Sequence, residues 1–309
     1  MNPVRSSILA AGAAALLGPA LIGGAAAQTP SPSEKLNAYV GCINRLSERA
    51  YESRKRYFSW AAPSGPTGRE RIIYGTYTIY DTTDCRKNIE KANTLEPSDP
   101  ALESAAAAYG NAVGQLEPLL KEADDYYKQE DYKDDKMAKG KALHVRLVAA
   151  WAAFERADQA LRNGVEVIND RRAAERLAEV EQKEGRQARY HVQALMIHAK
   201  RVMRVATADN PDANAIGKAL ASYEEMMKGA EQFTGNGDGK IGSMFIGNAK
   251  SFLVSAKQLM RRIRDKVPYS SGDRMMMNAG SSWMVEGSPG RLLREYNQMI
   301  DSYNRGASI

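Results

Sequence analysis

The strongest constraint on the fold is a stripe of apolar residues in the middle of the chain. Its members follow one another at steps of 4, 3, 4, 3, 4, 4 and 3 residues. Because an α-helix completes a turn in about 3.6 residues, this spacing places all of them on one helical face. Such a face must pack against other helices, so the stripe predicts a helical bundle. The stripe consists of Leu143, Leu147, Ala150, Phe154, Ala157, Leu161, Val165 and Ile168.

The stripe changes phase after Ile168. The next apolar residues are Ala173, Leu177 and Val180, which do not continue the earlier series. We therefore expect the same helix to change packing partners there, or to bend.

Comparable stripes cover most of the remaining chain, with breaks rich in Pro and Gly between them. They predict an all-α fold, an elongated antiparallel bundle of about seven or eight helices. We expect a single helical-bundle domain over residues 34–309, and the alternative is two sub-bundles that meet near residue 185.

Two segments do not follow the helical pattern. Residues 72–80 are rich in β-branched and aromatic side chains, which favour a strand, but a lone strand would have unpaired edges. We expect this segment to be irregular or helical. Residues 268–287 are predicted to form a long Gly/Ser/Met loop, after which Ser288 caps a last helix with Pro289 at its first position.

Two pairs of asparagines lie seven residues apart in the terminal helices, Asn37 with Asn44 and Asn297 with Asn304. Buried asparagines on a helix seam fix the register of helix pairing. One hypothesis is that these two helices pair side by side, and the alternative is that the asparagines lie on the surface.

The N-terminus has the pattern of an export signal. Arg5 precedes an apolar run from Ile8 to Ile22, and Ala25-Ala26-Ala27 forms a small-residue cleavage site. This predicts a signal peptide over residues 1–27 and a Pro/Ser linker over residues 28–33. The mature chain contains no transmembrane segment, and we expect it in the periplasm or secreted. A retained N-terminal anchor is the alternative.

The charge balance restricts the partners. Loss of the leader removes only Arg5 and lowers the net charge from +6 to +5, which is too mild to indicate nucleic-acid binding. Residues 101–135 carry nine acidic and three basic residues, whereas residues 233–309 carry eleven basic and six acidic ones. Solvated helix faces or contact with a charged partner would each explain this distribution.

The chain has two cysteines, Cys42 and Cys85. In an oxidising compartment an even pair most simply forms one disulfide. It would stabilise the fold by roughly 3–4 kcal/mol in the chain-entropy model. Two buried thiols are the alternative.

Several stretches together match the pattern of a known family. They are Leu36-Asn37-Ala38-Tyr39, Arg56-Tyr57-Phe58-Ser59-Trp60, Tyr126-Tyr127, 131–144, Gly287-Ser288-Pro289, Tyr296-Asn297 and Tyr303-Asn304. In these stretches the chain resembles the YiiG-like bacterial envelope proteins, a family defined by a domain of unknown function. The resemblance covers nearly the whole mature chain and implies a helical, exported protein, with no established activity or catalytic residues to carry over. Some relatives are lipoproteins, but this chain lacks the lipid-acceptor cysteine.

The most specific of these stretches overlaps a block of tyrosines and mixed charges. That composition is typical of a protein-contact surface, and we predict an interaction patch here. A solvated hairpin end is the alternative. The predicted patch consists of Asp124, Asp125, Tyr126, Tyr127, Asp131, Tyr132, Asp134, Asp135, Lys136, Lys139, Lys141 and His144.

Metal binding is an alternative function, through the acidic block at 122–135 or the methionine loop at 275–284. Residues 236–241 imitate the centre of an EF-hand loop, but Thr234 and Phe245 stand where that loop needs carboxylates, which favours a helix–helix turn. His191 and His198 lie seven apart rather than four, which favours packing over metal ligation.

No catalytic or nucleotide-binding signature is present, and the sequence predicts no cofactor. We therefore expect a non-enzymatic binding or interaction module of the bacterial cell envelope. Its partner would be an envelope protein or an anionic envelope polymer, for which a basic helix face at Arg261-Arg262-Ile263-Arg264 is a further candidate. An unrecognised hydrolase is the remaining alternative.

Overall fold

A computed structural model describes residues 32–306 of the chain. Within this range the chain forms nine α-helices, two short 3-10 helices and no β-strand, which confirms the predicted all-α fold. The α-helices are α1 (Pro32–Phe58), α2 (Thr82–Asn93), α3 (Pro100–Lys128), α4 (Ala138–Glu184), α5 (Ala188–Ala206), α6 (Ala213–Glu231), α7 (Ser243–Arg264), α8 (Ser271–Asn278) and α9 (Pro289–Gly306). The 3-10 helices are Asp131–Lys133 and Ser282–Met284.

The predicted signal peptide, residues 1–27, and residues 28–31 of the predicted linker lie outside the described residues. Pro32 and Ser33, the end of that linker, belong to the first turn of α1. Between residues 32 and 306, none of the helices combines the length and apolar character that a membrane crossing requires.

The chain divides into two compact units, the first ending at Asn169 and the second beginning at Asp170. The division falls inside α4, at the position where the apolar stripe changes phase. Beyond it, Leu177 and Val180 of α4 pack against Tyr190 and Ala194 of α5. The predicted change of packing partners is therefore confirmed. Gly185, with a φ of 73°, ends α4 inside the second unit.

The first unit consists of α1, α2, α3 and the first part of α4 around an aromatic core. The stripe of α4 contributes Leu143, Leu147, Phe154 and Leu161, which are all buried. The largest buried side chains of the first unit are those of Tyr39, Tyr57, Tyr109, Tyr126, Trp151 and Phe154. The Cys42–Cys85 disulfide joins α1 to α2 within this core, as predicted.

A carboxylate also lies in the core of the first unit. Asp158 is only 2% exposed, and its two oxygens accept hydrogen bonds from Ser47 Oγ at 2.6 Å and Tyr51 Oη at 3.0 Å. The guanidinium Nε of Arg162 lies 2.8 Å from the same carboxylate. Every oxygen of this buried acid therefore has a partner, as burial of a charge requires.

The segment between α1 and α2 contains neither a helix nor a strand. Its backbone is held by side chains of α1 and by Trp60, which follows that helix. Ser53 Oγ donates to the backbone carbonyl of Tyr77 at 2.6 Å and accepts a hydrogen bond from the backbone N–H of Tyr77 at 3.0 Å. Arg56 Nε donates to the carbonyl of Tyr74 at 2.8 Å, and Trp60 Nε1 to that of Gly75 at 2.9 Å. The expected irregular conformation of 72–80 is thus observed.

The second unit consists of the end of α4 and α5 to α9. Helices α5, α6, α7 and α9 enclose its core, which contains Leu195, Tyr223 and Phe252. The Tyr223 hydroxyl donates to the backbone carbonyl of Ala249 at 3.1 Å, so the polar end of this ring is satisfied. At the start of α9, Ser288 Oγ accepts the N–H of Arg291 at 3.0 Å, which confirms the predicted cap.

Two predictions are wrong. Residues 268–287 are not one long loop, because α8 and a 3-10 helix form within them. The Ser270 side chain and Asp273 form a capping box that starts α8. The asparagine seam does not exist either, since the side chains of Asn37, Asn44, Asn297 and Asn304 are all exposed.

Candidate functional site

The structure corrects the predicted interaction patch. Tyr126 and Tyr127 are only 1% and 5% exposed, and His144 is 8% exposed. Tyr126 and Tyr127 belong to the interior of the first unit, so they cannot form the contact surface of a partner. His144 is accessible only from a cleft that its ring helps to line. The burial of these three side chains follows from the position of the end of α3 and the start of α4 against the aromatic side chains of α1.

Asp135 has a structural role at the start of α4. It accepts the Tyr126 hydroxyl at 2.8 Å and the backbone N–H groups of Ala138 at 3.2 Å and Lys139 at 2.9 Å. Desolvation opposes ionisation here, but these hydrogen bonds outweigh it and lower the pKa of Asp135. Burial, followed by the bond to Asp135, raises the pKa of Tyr126 to about 12.

The rest of the predicted patch is accessible. Asp124, Asp131 and Tyr132 are partly buried, and the exposed members are Asp125, Asp134, Lys136, Lys139 and Lys141. Lys139 lies 3.6 Å from the carboxylate of Glu122, an exposed pair with little effect on stability. Two members of the patch, Lys141 and His144, line a cleft that the sequence did not indicate.

This cleft, which we call the Arg69–Lys141 cleft, lies between the loop after α1 and the first turns of α4. It has a volume of about 610 Å³. Arg69, Lys141 and His144 supply its nitrogen donors, and no carboxylate is among its lining residues in the described structure. The lining residues are Ser64, Gly65, Pro66, Thr67, Arg69, Lys141, His144 and Val145.

The imidazole of His144 is held at the base of the cleft. Its Nδ1 lies 3.0 Å from the Tyr57 hydroxyl, and the two rings are stacked with centroids 5.8 Å apart. Burial raises the pKa of Tyr57 to about 12, so this hydroxyl stays protonated at neutral pH. When it donates to Nδ1, the proton of the neutral imidazole is on Nε2, on the opposite side of the ring.

A glycine makes room for that ring. Gly65 has a φ of 104°, and a Cβ there would lie 3.2 Å from Cδ2 and 3.6 Å from Nε2 of His144. A side chain at this position would therefore be strained and would crowd the imidazole.

Glu70 fixes the loop above the cleft. It accepts the N–H of Thr67 at 2.5 Å, the Thr67 hydroxyl at 2.9 Å and the N–H of Gly68 at 2.8 Å. Desolvation opposes ionisation, but the hydrogen bonds from Thr67 and Gly68 lower the pKa of Glu70. The Glu70 carboxylate therefore binds groups of its own loop. Arg69, the preceding residue in the chain, is exposed and lines the cleft.

Aromatic rings lie behind His144. Tyr57, Phe58, Trp60, Tyr127 and Trp151 form edge-to-face, tilted or stacked contacts around it. Among the described residues, the Tyr127 hydroxyl and the Trp151 indole N–H have no hydrogen-bond partner. These rings give the cleft a rigid base, because aromatic packing restricts rotamers on both sides.

One run in the sequence has a composition that fits this cleft, although it does not by itself predict a cleft. The run is Ser64-Gly65-Pro66-Thr67-Gly68-Arg69, whose glycines and proline also end a helix. Hydroxyls, glycines and an arginine in one loop are also the composition of an anion-binding turn. Its position beside Lys141 depends on tertiary packing.

The acidic block at 122–135 does not form the cluster that a metal site requires. Within residues 32–306, no group of three or more His, Cys, Asp or Glu side chains is placed to hold a metal ion. The turn at 234–241 closes through hydrogen bonds between Phe233, Gly235 and Ile241 at 2.9–3.0 Å, which is the expected helix–helix turn. Met275 and Met284 of the methionine loop are exposed to solvent.

The two histidines of α5 are packing residues. The ring of His191 lies 5.4 Å from that of Phe233, and a Cβ at Gly229 would collide with it. Burial lowers the pKa of both His191 and His198. Both are therefore neutral at physiological pH.

A smaller cleft of about 290 Å³ lies between α7 and α9 in the second unit. It contains Glu295, which is 4% exposed and pairs with Arg291 Nε at 2.9 Å, and Ser255, whose buried hydroxyl has no partner among the described residues. Lys250 and Glu286 also line this cleft, so its charges have both signs.

The fold and the clefts define an all-helical protein of two compact units, one of which carries a cationic cleft. The chain belongs to the family described as "Protein of unknown function (DUF3829)", whose model matches residues 31–305. It is 38% identical over 276 residues to "Uncharacterized protein YiiG" of Escherichia coli (strain K12), covering 88% of this chain and 78% of that protein. The resemblance to YiiG-like proteins is thus confirmed.

A solved structure is also similar at low identity. It is the crystal structure of an uncharacterized DUF3829-like protein from Bacteroides thetaiotaomicron VPI-5482, with 18% identity and a TM-score of 0.33. The match covers 89% of this chain and 99% of that one.

Proposed function

We propose that this protein is an exported, non-enzymatic binding module of the bacterial cell envelope. Its first unit would bind an anionic group of an envelope polymer, a phosphate or a carboxylate, in the Arg69–Lys141 cleft. The observation that carries the proposal is the sign of the charges there. Arg69, in the loop after α1, and Lys141, in the first turns of α4, are exposed cations that line the cleft, and its lining residues in the described structure include no acid.

The neutral donors of the cleft support the same ligand chemistry. The hydroxyls of Ser64 and Thr67 and the Nε2–H of His144 are suited to the oxygens of an anion. Tyr57 and Gly65 fix the orientation of the imidazole, so little side-chain entropy is lost when a ligand binds.

Export is supported by two features. Residues 1–27 have the pattern of a secretory leader. The Cys42–Cys85 disulfide is typical of proteins in oxidising compartments, among them the bacterial periplasm. Binding is proposed rather than catalysis because the sequence contains no catalytic signature.

Calorimetric titration of the purified mature chain tests the cleft. The probes are pyrophosphate, hexagalacturonate and the neutral maltohexaose, all at low ionic strength, where surface charges are least screened. We expect saturable binding of at least one anion and none of maltohexaose. The two anionic probes separate a preference for phosphate from one for carboxylate, and equal binding of maltohexaose would contradict the proposal.

Two substitutions connect binding with the cleft. Arg69→Gln and Lys141→Gln each remove one exposed cation and should weaken anion binding by about tenfold, because each deletes a charge-assisted contact. Lys128→Gln, at the exposed end of α3, is the matched control and should bind as the wild-type protein does. Unchanged affinity in both cleft variants would exclude this cleft as the site.

A further inference from the structure

One end of the second unit exposes large apolar side chains. The end of α7, α8, the 3-10 helix at Ser282–Met284 and the start of α9 form it, and we call residues 261–295 the C-terminal surface. Four of its side chains, among twelve large hydrophobic residues exposed in the described structure, are Val267 at 49%, Met275 at 70%, Trp283 at 42% and Met284 at 51%.

Hydrogen bonds fix the turns that carry these exposed side chains. Arg262 donates from Nη1 to the carbonyl of Pro268 and from Nη2 to that of Glu286, both at 3.1 Å. The Tyr269 hydroxyl donates to the carbonyl of Gly287 at 3.0 Å. The Ser288 hydroxyl donates to the carbonyl of Ser282 at 2.6 Å. The turns that present the apolar residues are therefore cross-linked to α7 and α9, and their exposure is built into the structure.

The surroundings of these side chains are basic. The C-terminal surface contains seven basic and four acidic residues, a net charge of +3. Three of the acids have local partners, because Arg264 binds Asp265 at 2.8 Å, Arg291 binds Glu295 at 2.9 Å and Asp273 caps α8.

Cations lie close to the exposed ring and to the turns. The guanidinium of Arg294 lies 4.6 Å from the centroid of Trp283. Arg261, Lys266 and Arg274 are exposed on the same end of the unit. Exposed apolar side chains and exposed cations in one segment match an anionic lipid surface, in which headgroup charge and hydrocarbon lie next to each other.

We propose that the C-terminal surface docks onto an anionic lipid bilayer, with Trp283, Met275 and Met284 at the boundary between headgroups and acyl chains. Tryptophan is favoured at that depth because its ring is apolar and its N–H is polar. Arginine and lysine near the surface gain from the negative potential of the lipid. A second copy of the chain would bring the same net charge of +3 against this surface, which opposes self-association.

Vesicle co-sedimentation measures this docking. The purified mature chain is mixed with vesicles of phosphatidylcholine alone and with vesicles of equimolar phosphatidylglycerol and phosphatidylcholine. We expect binding to the anionic vesicles at least about tenfold stronger than to the neutral ones, and weaker binding as salt is added. Equal partition to both vesicle types would overturn the proposal.

Tryptophan fluorescence locates the contact. The chain has three tryptophans, of which Trp151 is buried and Trp283 is exposed. Anionic vesicles that contain brominated lipid should quench part of the emission in the wild-type protein. Trp283→Phe should lose that quenchable part, and quenching that persists in this variant would place the contact elsewhere.

Paired variants separate the two contributions to binding. Trp283→Ser with Met284→Ser removes exposed apolar area, and Lys266→Gln with Arg261→Gln removes charge. Each pair should weaken anionic-vesicle binding by about tenfold. The control pair, Ile72→Ser with Tyr74→Ser, changes exposed apolar residues of the first unit and should not.

Thermal unfolding of each variant is the control for retention of the fold. An unchanged affinity of both test pairs for anionic vesicles would overturn the proposal. Lys141→Gln should bind vesicles like the wild-type protein. Vesicle docking and anion binding in the Arg69–Lys141 cleft can therefore fail independently. Concentration-dependent dimers that disappear in the Trp283→Ser, Met284→Ser variant would identify a second copy as the occupant instead.

Discussion

At the scale of single residues, Asp158 shows how a charge is accommodated in a helical core. Ser47 and Tyr51 donate to its oxygens and Arg162 pairs with it, so its desolvation is offset by three partners. Burial, followed by the nearby carboxylate of Asp158, raises the pKa of Tyr51 well above its usual range. This hydroxyl is therefore a permanent donor.

Replacement of Asp158 by Ala should lower the free energy of unfolding by about 3–5 kcal/mol, because Arg162, Ser47 and Tyr51 lose the buried carboxylate that they share. Tyr51→Phe removes one donor of the network and should cost only about 1 kcal/mol. Urea unfolding followed by circular dichroism measures both. A loss of similar size in the two variants would show that the network does not depend on the carboxylate.

The burial of Tyr127 and His144 could have been predicted from spacing. Tyr127 continues the series Leu116, Leu120 and Ala123 at steps of three and four, and His144 lies three residues before Leu147. The charged neighbours of both residues in the sequence favoured a position on the surface instead. On a helix, adjacent residues point in different directions, so the polarity of a neighbour is poor evidence of exposure.

At the scale of elements, the segment 71–81 shows how side chains can bind the backbone groups that a neighbouring β-strand would otherwise bind. Its composition favours a strand, yet no second strand is present among residues 32–306. The α1 side chains Arg49, Ser53 and Arg56, which lie on one helical face, and Trp60 just after the helix bind the backbone groups that a neighbouring strand would bind. The sequence predicted the conflict, but only the structure shows how it is resolved.

Ser53→Ala should therefore destabilise this element. Ser53 is buried, and its hydroxyl binds both the N–H and the carbonyl of Tyr77, so the substitution leaves two partly buried backbone groups unpaired. We expect a loss of about 2 kcal/mol in stability and faster hydrogen exchange in residues 72–80. Ser59→Ala, at an exposed position of the same region, is the control. Equal exchange in the two variants would argue against this role of Ser53.

At the scale of the whole molecule, the two units have separate cores and different covalent constraints. The core of the first contains Tyr109, Trp151 and Phe154, and that of the second contains Tyr223 and Phe252. Both cysteines of the chain, Cys42 and Cys85, lie in the first unit. The disulfide closes a loop with a sequence separation of 43 and restricts the unfolded first unit alone.

Reduction of the disulfide should lower the stability of the first unit by roughly 3–4 kcal/mol, through the larger entropy of its unfolded chain. Hydrogen exchange with and without reductant measures each unit separately. Amides in the core of the first unit should exchange faster after reduction, while those of α6 and α7 keep their rates. The Cys42→Ser, Cys85→Ser variant should reproduce the effect, and equal acceleration in both units would contradict the prediction.

Local sequence patterns were sufficient to predict the all-α fold and the start of the last helix at Ser288, and they favoured one disulfide between Cys42 and Cys85. These depend on periodicity, capping residues and proline, which act over a few neighbouring residues. The phase change after Ile168 also lay in the sequence, and it marks where α4 passes from one core to the other.

Contacts between side chains of different helices could be read from the folded structure alone. The Arg69–Lys141 cleft combines a loop after α1 with the start of α4, and the C-terminal surface combines the end of α7 with α8 and α9. Such juxtapositions depend on how helices cross and pack. Packing is set by the volumes of many distant side chains together, and no local pattern records it.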